Sequence, residues 1–212
     1  MTSKSKIAAT LLALIALSIA APAANAATFD TITPATVIIA GNATYSNFTY
    51  GGITSPATVN LATSTTATTS TITFTRTSTP WSLTDGNSTI SYHVEFATPI
   101  TSLGLSFVAS ATPGLVASVG ETVVDGITHN PYLPGPQVVT GIGPSVFTTT
   151  YNFATPVSSL DIIKSIDLAG SPSEGGLATI TSVQNTYTIP EPTSLALLSL
   201  AALPLLRRRP SR

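Results

Sequence analysis

The chain has 212 residues, 43% of them hydrophobic and 8% charged, with no cysteine and a formal charge of −1. Without cysteine there is no disulfide staple, thiol nucleophile, thiolate zinc site or c-type haem attachment. The charge is unevenly spread, because between Ala27 and Ile189 only Arg76 and Lys164 are set against eight acidic residues, a formal −6 that repels phosphate backbones and disfavours nucleic acid as a partner.

The N-terminus reads as an export signal. Lys4 and Lys6 precede an apolar run from Ile7 to Ala21, and Ala24-Asn25-Ala26 places small residues where a signal peptidase inspects them. Cleavage is expected before Ala27, with Ala21-Pro22-Ala23 as a second site and an uncleaved anchor helix as the alternative.

From Ala27 to Ile189 the chain has the length of one domain, and no linker divides it. Helical periodicity is absent, and short alternating apolar runs are punctuated by Gly, Pro and Asn, which predicts a single antiparallel β-sandwich. Thr36–Ala40 and Thr44–Tyr50 flank a Gly41-Asn42 turn signal. The segment Ala62–Thr79 contains ten threonines and reads as a polar loop followed by a threonine-faced edge strand at Thr71–Arg76, or as an O-glycosylated stretch. Trp81, after Pro80, is the first candidate for a platform that stacks on sugar rings, with Tyr92, Tyr132 and Tyr151 behind it.

Thr89–Ala97 is the next strand. His93 and Glu95 lie two apart on it and share a face, so they are the candidates for holding a metal or exchanging a proton; the simpler reading is a polar outer face with Val94 and Phe96 turned inward. Phe96-Ala97-Thr98-Pro99-Ile100-Thr101-Ser102-Leu103 recurs as Phe153-Ala154-Thr155-Pro156-Val157-Ser158-Ser159-Leu160. In each copy a strand ends at an aromatic residue, a proline turns the chain and a new strand begins, as at corresponding corners of two sheets. Further strands are predicted at Ser102–Ala109, Leu115–Val119, Glu121–Val124, Val146–Phe153, Ser159–Ile163 and Thr179–Ile189, and His129 falls in a Pro- and Gly-rich loop from Thr128 to Gly143.

No nucleophile elbow, zinc helix or phosphate loop is present. No cofactor is expected, although Asp85, Glu121, Asp125, Asp161, Asp167 and Glu174 supply the oxygen ligands that a structural calcium would require.

The last segment joins Pro190-Glu191-Pro192 to an apolar run from Leu195 to Leu206 and then Arg207-Arg208-Arg209. As a helix the run is about 18 Å long against a hydrocarbon core of about 30 Å, too short for a comfortable span, and the arginines belong on the cytoplasmic side. This order resembles the PEP-CTERM sorting tail of exported bacterial proteins. The resemblance implies recognition by an exosortase-type membrane protease, cutting near Pro190–Pro192, transient membrane association through both termini, and delivery to the cell surface or exopolysaccharide. It also implies a jelly-roll-like body, since the aromatic, proline and leucine corners recur in that family. The expected role is a non-enzymatic structural one at the surface or in the matrix. The alternatives are a carbohydrate-binding module or adhesin and, third, a hydrolase around His93 and Glu95.

Overall fold

The computed structural model describes residues 25–29, 31–52, 58–76, 79–132, 137–141, 143–170 and 176–191. The strands are β1 (Asn25–Thr28), β2 (Ile38–Ala40), β3 (Ala43–Gly51), β4 (Val59–Thr65), β5 (Thr69–Arg76), β6 (Trp81–Ser82), β7 (Ser88–Ala111), β8 (Val116–Asp125), β9 (Gln137–Gly141), β10 (Ser145–Ala169) and β11 (Ala178–Thr188). A 3-10 turn, Leu83–Asp85, lies between β6 and β7. All the pairings among the described residues are antiparallel. Among the described residues no helix is long and apolar enough to cross a membrane. Ala24, Pro192 and Arg207–Arg209 lie outside the described residues, and β1 runs across the Ala26–Ala27 bond at which cleavage is expected.

The ladder divides into two leaves because β7 and β10 each serve both. The first half of β7 pairs with β3 and with the second half of β10, which also pairs with β8, and β8 pairs with β9. These strands, with β2, form leaf I. The second half of β7 pairs with β11 and the first half of β10, and β11 continues through β5 and β4 to β1. These form leaf II.

The changeover falls on the repeated motif. Between Asn152 and Ser159 the β7–β10 register shifts twice, so that Val157 faces Ile100 and Ser159 faces Glu95. Pro99 and Pro156 have no N–H to give the ladder, so each long strand loosens its pairing there without ending. The corners expected from the repeat are therefore present, but as continuous strands crossing from one leaf to the other.

Hydrogen bonds between side chains show that the leaves face each other. Tyr45 in leaf I meets Ser70 in leaf II at 2.9 Å, and Tyr92 in leaf I donates to Asn185 in leaf II at 2.7 Å. Between them lies one apolar core in which Phe29, Phe48, Phe74 and Tyr92 pack with ring centroids 5.6–6.1 Å apart. With no disulfide, this burial holds the leaves together, at about 1.5–3 kcal/mol for each large apolar side chain.

The threonine-rich segment departs from expectation. It is not a loop leading to an edge strand: β4 and β5 form a hairpin around Thr66–Thr68, and β5 is interior, paired with β4 on one side and β11 on the other. Ser70, Ile72 and Phe74 point into the core, and the threonines between them point out. β8 joins two expected strands through Gly120, and β9 occupies part of the stretch expected as loop.

Candidate functional site

Three arrangements gather the chemistry-bearing side chains. The first is on the outer face of leaf I, where His93 and Asp161 are direct cross-strand partners of β7 and β10. The His93 Nδ1–H donates to Asp161 Oδ1 at 2.6 Å, and His129 Nδ1–H donates to Asp161 Oδ2 at 3.0 Å. His93 Nε2 lies 3.5 Å from both Ser159 Oγ and Glu95 Oε1. As the alternation implies, His93 and Glu95 face outward while Val94 and Phe96 are buried. Ser159, His93 and Asp161 thus stand in the order of nucleophile, base and orienting carboxylate. At 3.5 Å the first step is looser than a hydrogen bond poised for proton transfer, and Glu95 shares the same nitrogen.

What this cluster does visibly is fasten a loop. His129 adopts a positive φ of 56° and reaches back to Asp161, while Asp125 Oδ1 accepts from the backbone N–H of Ile127 and Thr128 at 2.8 and 2.6 Å. Tyr132 O–H donates to Asp125 Oδ2 at 2.5 Å. That hydroxyl and the Thr128 and Ile127 amides hold the Asp125 carboxyl well below the usual carboxylate range, and burial with the same bond pushes Tyr132 up to about 12.

The second arrangement is in the core. Lys164 and Glu121 face each other across β10 and β8, both with fully buried side chains, and Lys164 Nζ donates to Glu121 Oε1. Asn185 Nδ2 of the opposite leaf donates to the same Oε1 at 2.8 Å, and Asn185 Oδ1 accepts from the Tyr92 hydroxyl. Desolvation holds the Lys164 amine below the usual lysine range, against the pull of Glu121.

The third is the outer face of leaf II. Five strands present one uncharged row after another: Ser64, Thr71, Thr186, Gly104 and Thr150 in one, Ala62, Thr73, Gln184, Ser106 and Thr148 in the next. The row through Thr69, Thr188, Ser102 and Asn152 continues the pattern. None of these register positions carries a charge. Gly104 leaves a hollow of about 200 Å³ between Thr148, Thr150, Thr186 and Thr188. A β-carbon there would meet Thr186 at 3.6 Å, ordinary contact, so the missing side chain shapes the surface without being forced by packing.

Trp81 does not serve as a sugar platform. It is 0% exposed, paired through β6 to β11, and its ring is part of the core. Proline at position 80 suggests an exposed corner, but hydrophobic area wins: burying the indole is worth more than displaying it. Tyr92 is buried as well, and Tyr132 is committed to Asp125.

The acids considered for calcium are dispersed. Asp85 pairs with Arg76, Glu121 with Lys164, Asp161 with two histidines, and Glu174 lies outside the described residues. Among the described residues no three His, Cys, Asp or Glu side chains are grouped to hold a metal. In the tail, Pro190 and Glu191 are exposed and follow Ile189, whose N–H donates to Thr68 O at 2.7 Å. They border a hollow of about 390 Å³ with Asn42, Thr66 and Thr98.

No family model matches the chain, and no curated protein matches it. Among solved structures, the module TmCBM61 in complex with β-1,4-galactotriose aligns at 12% identity over 68% of this chain and 88% of its own, with a TM-score of 0.32. The CBM36-1 domain of a multidomain xylanase from the hindgut metagenome of Trinervitermes trinervoides aligns at 13% identity over 77% and 96%, with a TM-score of 0.29. Arthrobacter globiformis T6 isomalto-dextranase complexed with panose aligns at 12% identity over 77% and 23%, with a TM-score of 0.34. Scores this low leave the sandwich to be argued from the chain's own strand ladder.

Proposed function

We propose that the chain is an exported, non-catalytic surface or matrix protein that lies against neutral polysaccharide through the outer face of leaf II. The observation that carries this reading is the uncharged hydroxyl grid of β4, β5, β11, β7 and β10 with its hollow at Gly104. Each hydroxyl both donates and accepts, as sugar hydroxyls do, so an extended polymer finds a partner at almost any register. The acidic body selects against anionic polymers. With no aromatic platform in the grid each contact is weak, and retention depends on many contacts along one polymer.

The expected route runs through a signal peptidase acting before Ala27 and an exosortase-type protease acting near Pro190, Glu191 and Pro192, with Arg207–Arg209 removed. Exposure of Pro190 and Glu191 directly after β11 supports that route, because a protease can approach them without unfolding the sandwich. Intact mass and N-terminal sequencing of the protein from medium, matrix and membrane fractions test it: a membrane species keeping Arg207–Arg209 argues for a plain anchor.

A pull-down over neutral and acidic polysaccharides tests the binding. Retention on a neutral polymer that falls about tenfold, or about 1.4 kcal/mol, in T150E/T186E supports the grid. Absence of retention across the panel, or retention indifferent to both changes, overturns it. The order Ser159, His93, Asp161 favours one second reading, a hydrolase; activity that persists when His93 and Glu95 are both changed to alanine removes it.

A further inference from the structure

The core arrangement of Lys164, Glu121 and Asn185 has more order than a buried ion pair requires. Lys164 Nζ and Asn185 Nδ2 both donate to one oxygen, Glu121 Oε1, so an amine and a carboxamide from opposite leaves are brought together on a single proton acceptor. The carboxamide is polarised from its other end, because the Tyr92 hydroxyl donates to Asn185 Oδ1 at 2.7 Å and is itself 2.8 Å from the Tyr187 hydroxyl. Glu121 Oε2 is buried and has no hydrogen-bond partner among the described residues. A carboxylate kept only for its charge would be expected to satisfy both oxygens. Lys164, Glu121 and Asn185 are each 0% exposed, so bulk solvent does not reach them.

We propose that Lys164 and Asn185 join in an intramolecular isopeptide bond, with Glu121 as the proton shuttle and Tyr92 as the oxyanion donor. Glu121 takes a proton from the Lys164 ammonium, and the freed amine attacks Asn185 Cγ, forming the Nζ–Cγ bond and placing negative charge on Oδ1 opposite the Tyr92 hydroxyl. The Cγ–Nδ2 bond then breaks. Nδ2 takes up the proton held by Glu121 and leaves as ammonia, while the proton lost from Nζ as the amide forms returns to Glu121. Nothing is oxidised or reduced and no co-reactant is needed: an amine and a primary amide become a secondary amide and ammonia. Burial, which holds the Lys164 amine below its usual range, favours the neutral nucleophile the attack requires. The product ties β10 of leaf I to β11 of leaf II, a covalent bridge in a chain that has no cysteine to make one.

The test is mass spectrometry of the full chain purified from its host or a heterologous one. The expected result is a peptide map in which Lys164 resists trypsin, so that one looped peptide runs from Thr77 through both Lys164 and Asn185 and is lighter by one ammonia than its sequence; a further cut at Glu174 opens it to a branched peptide in which Lys164 and Asn185 are joined. E121Q and K164R should give linear peptides of unchanged mass, with circular dichroism showing whether each remains β-rich. Where a variant does not fold, the wild-type map decides alone. Linear, trypsin-cleavable peptides in folded wild-type protein overturn the proposal. So does ammonia loss confined to a linear Asn185 peptide, which is succinimide formation, and so does loss of water with Lys164 joined to Glu121.

Discussion

Two polar clusters lie three residues apart on β10, and the contrast between them is the contrast between the faces of a strand. Asp161 points outward to His93 and His129 and leaves part of its surface in water. Lys164 points inward to Glu121 with no exposed atom. Outside, charge is cheap, and the pairing mainly positions a loop. Inside, either charge without the other costs several kcal/mol, so the two are conceivable only together and with Asn185 to share the load.

The sharpest way to break the contrast is to remove one inner partner. E121A or K164A is expected to cost about 3–5 kcal/mol, read as a lowered urea midpoint, because an uncompensated charge is left in the core. The double change K164M/E121L, which removes both charges, should restore the part of that loss due to the uncompensated charge, while the part due to a Lys164–Asn185 bridge stays lost. On the outer face D161N is expected to cost at most about 1 kcal/mol, and to loosen residues 126–130 without unfolding the sandwich. If it cost as much as E121A, the outer cluster would be structural in the same sense as the inner one.

Acid sharpens the difference further. The folded pKa of Asp125 is depressed, so its contribution is complete above the unfolded value near 3.9 and is lost as pH falls below it toward the folded value. Hydrogen exchange should show the Ile127 and Thr128 amides losing protection in that window while Ile162 and Ile166 amides on β10 keep theirs. The smallest effect belongs to leaf II: G104A meets only ordinary contacts and should shift stability by no more than about 1 kcal/mol, while measurably reducing retention on polysaccharide.

Much of this was legible as pattern. The repeated Phe-Ala-Thr-Pro motif marks where β7 and β10 cross between leaves, the Gly41-Asn42 signal sits at the β2–β3 turn with Gly41 at φ 59°, and His93 and Glu95 face outward. β4 was hidden because Thr63 occupies an inward position that an apolar residue would have announced. The inner cluster left a signal of its own. Leu160, Ile162, Lys164, Ile166 and Leu168 share one phase, as do Ala117, Val119, Glu121 and Val123, so each strand carries one charge on its apolar face. Which charges meet depends on register between segments some forty residues apart, and that is settled only by the fold. Trp81 failed in the opposite way: its neighbours suggested display, and the core had room for it.

β11 is hydrogen-bonded on both sides, to β5 and to β7, and runs directly toward Pro190 and Glu191, whereas β1 sits at the rim of leaf II and pairs with β4. A pull applied at the C-terminal end and directed along that strand would therefore load two ladders in shear, with many bonds sharing the force at once. Drag on the N-terminal end could peel β1 away pair by pair. The molecule is mechanically asymmetric, and its stronger grip lies at the end that carries the tail.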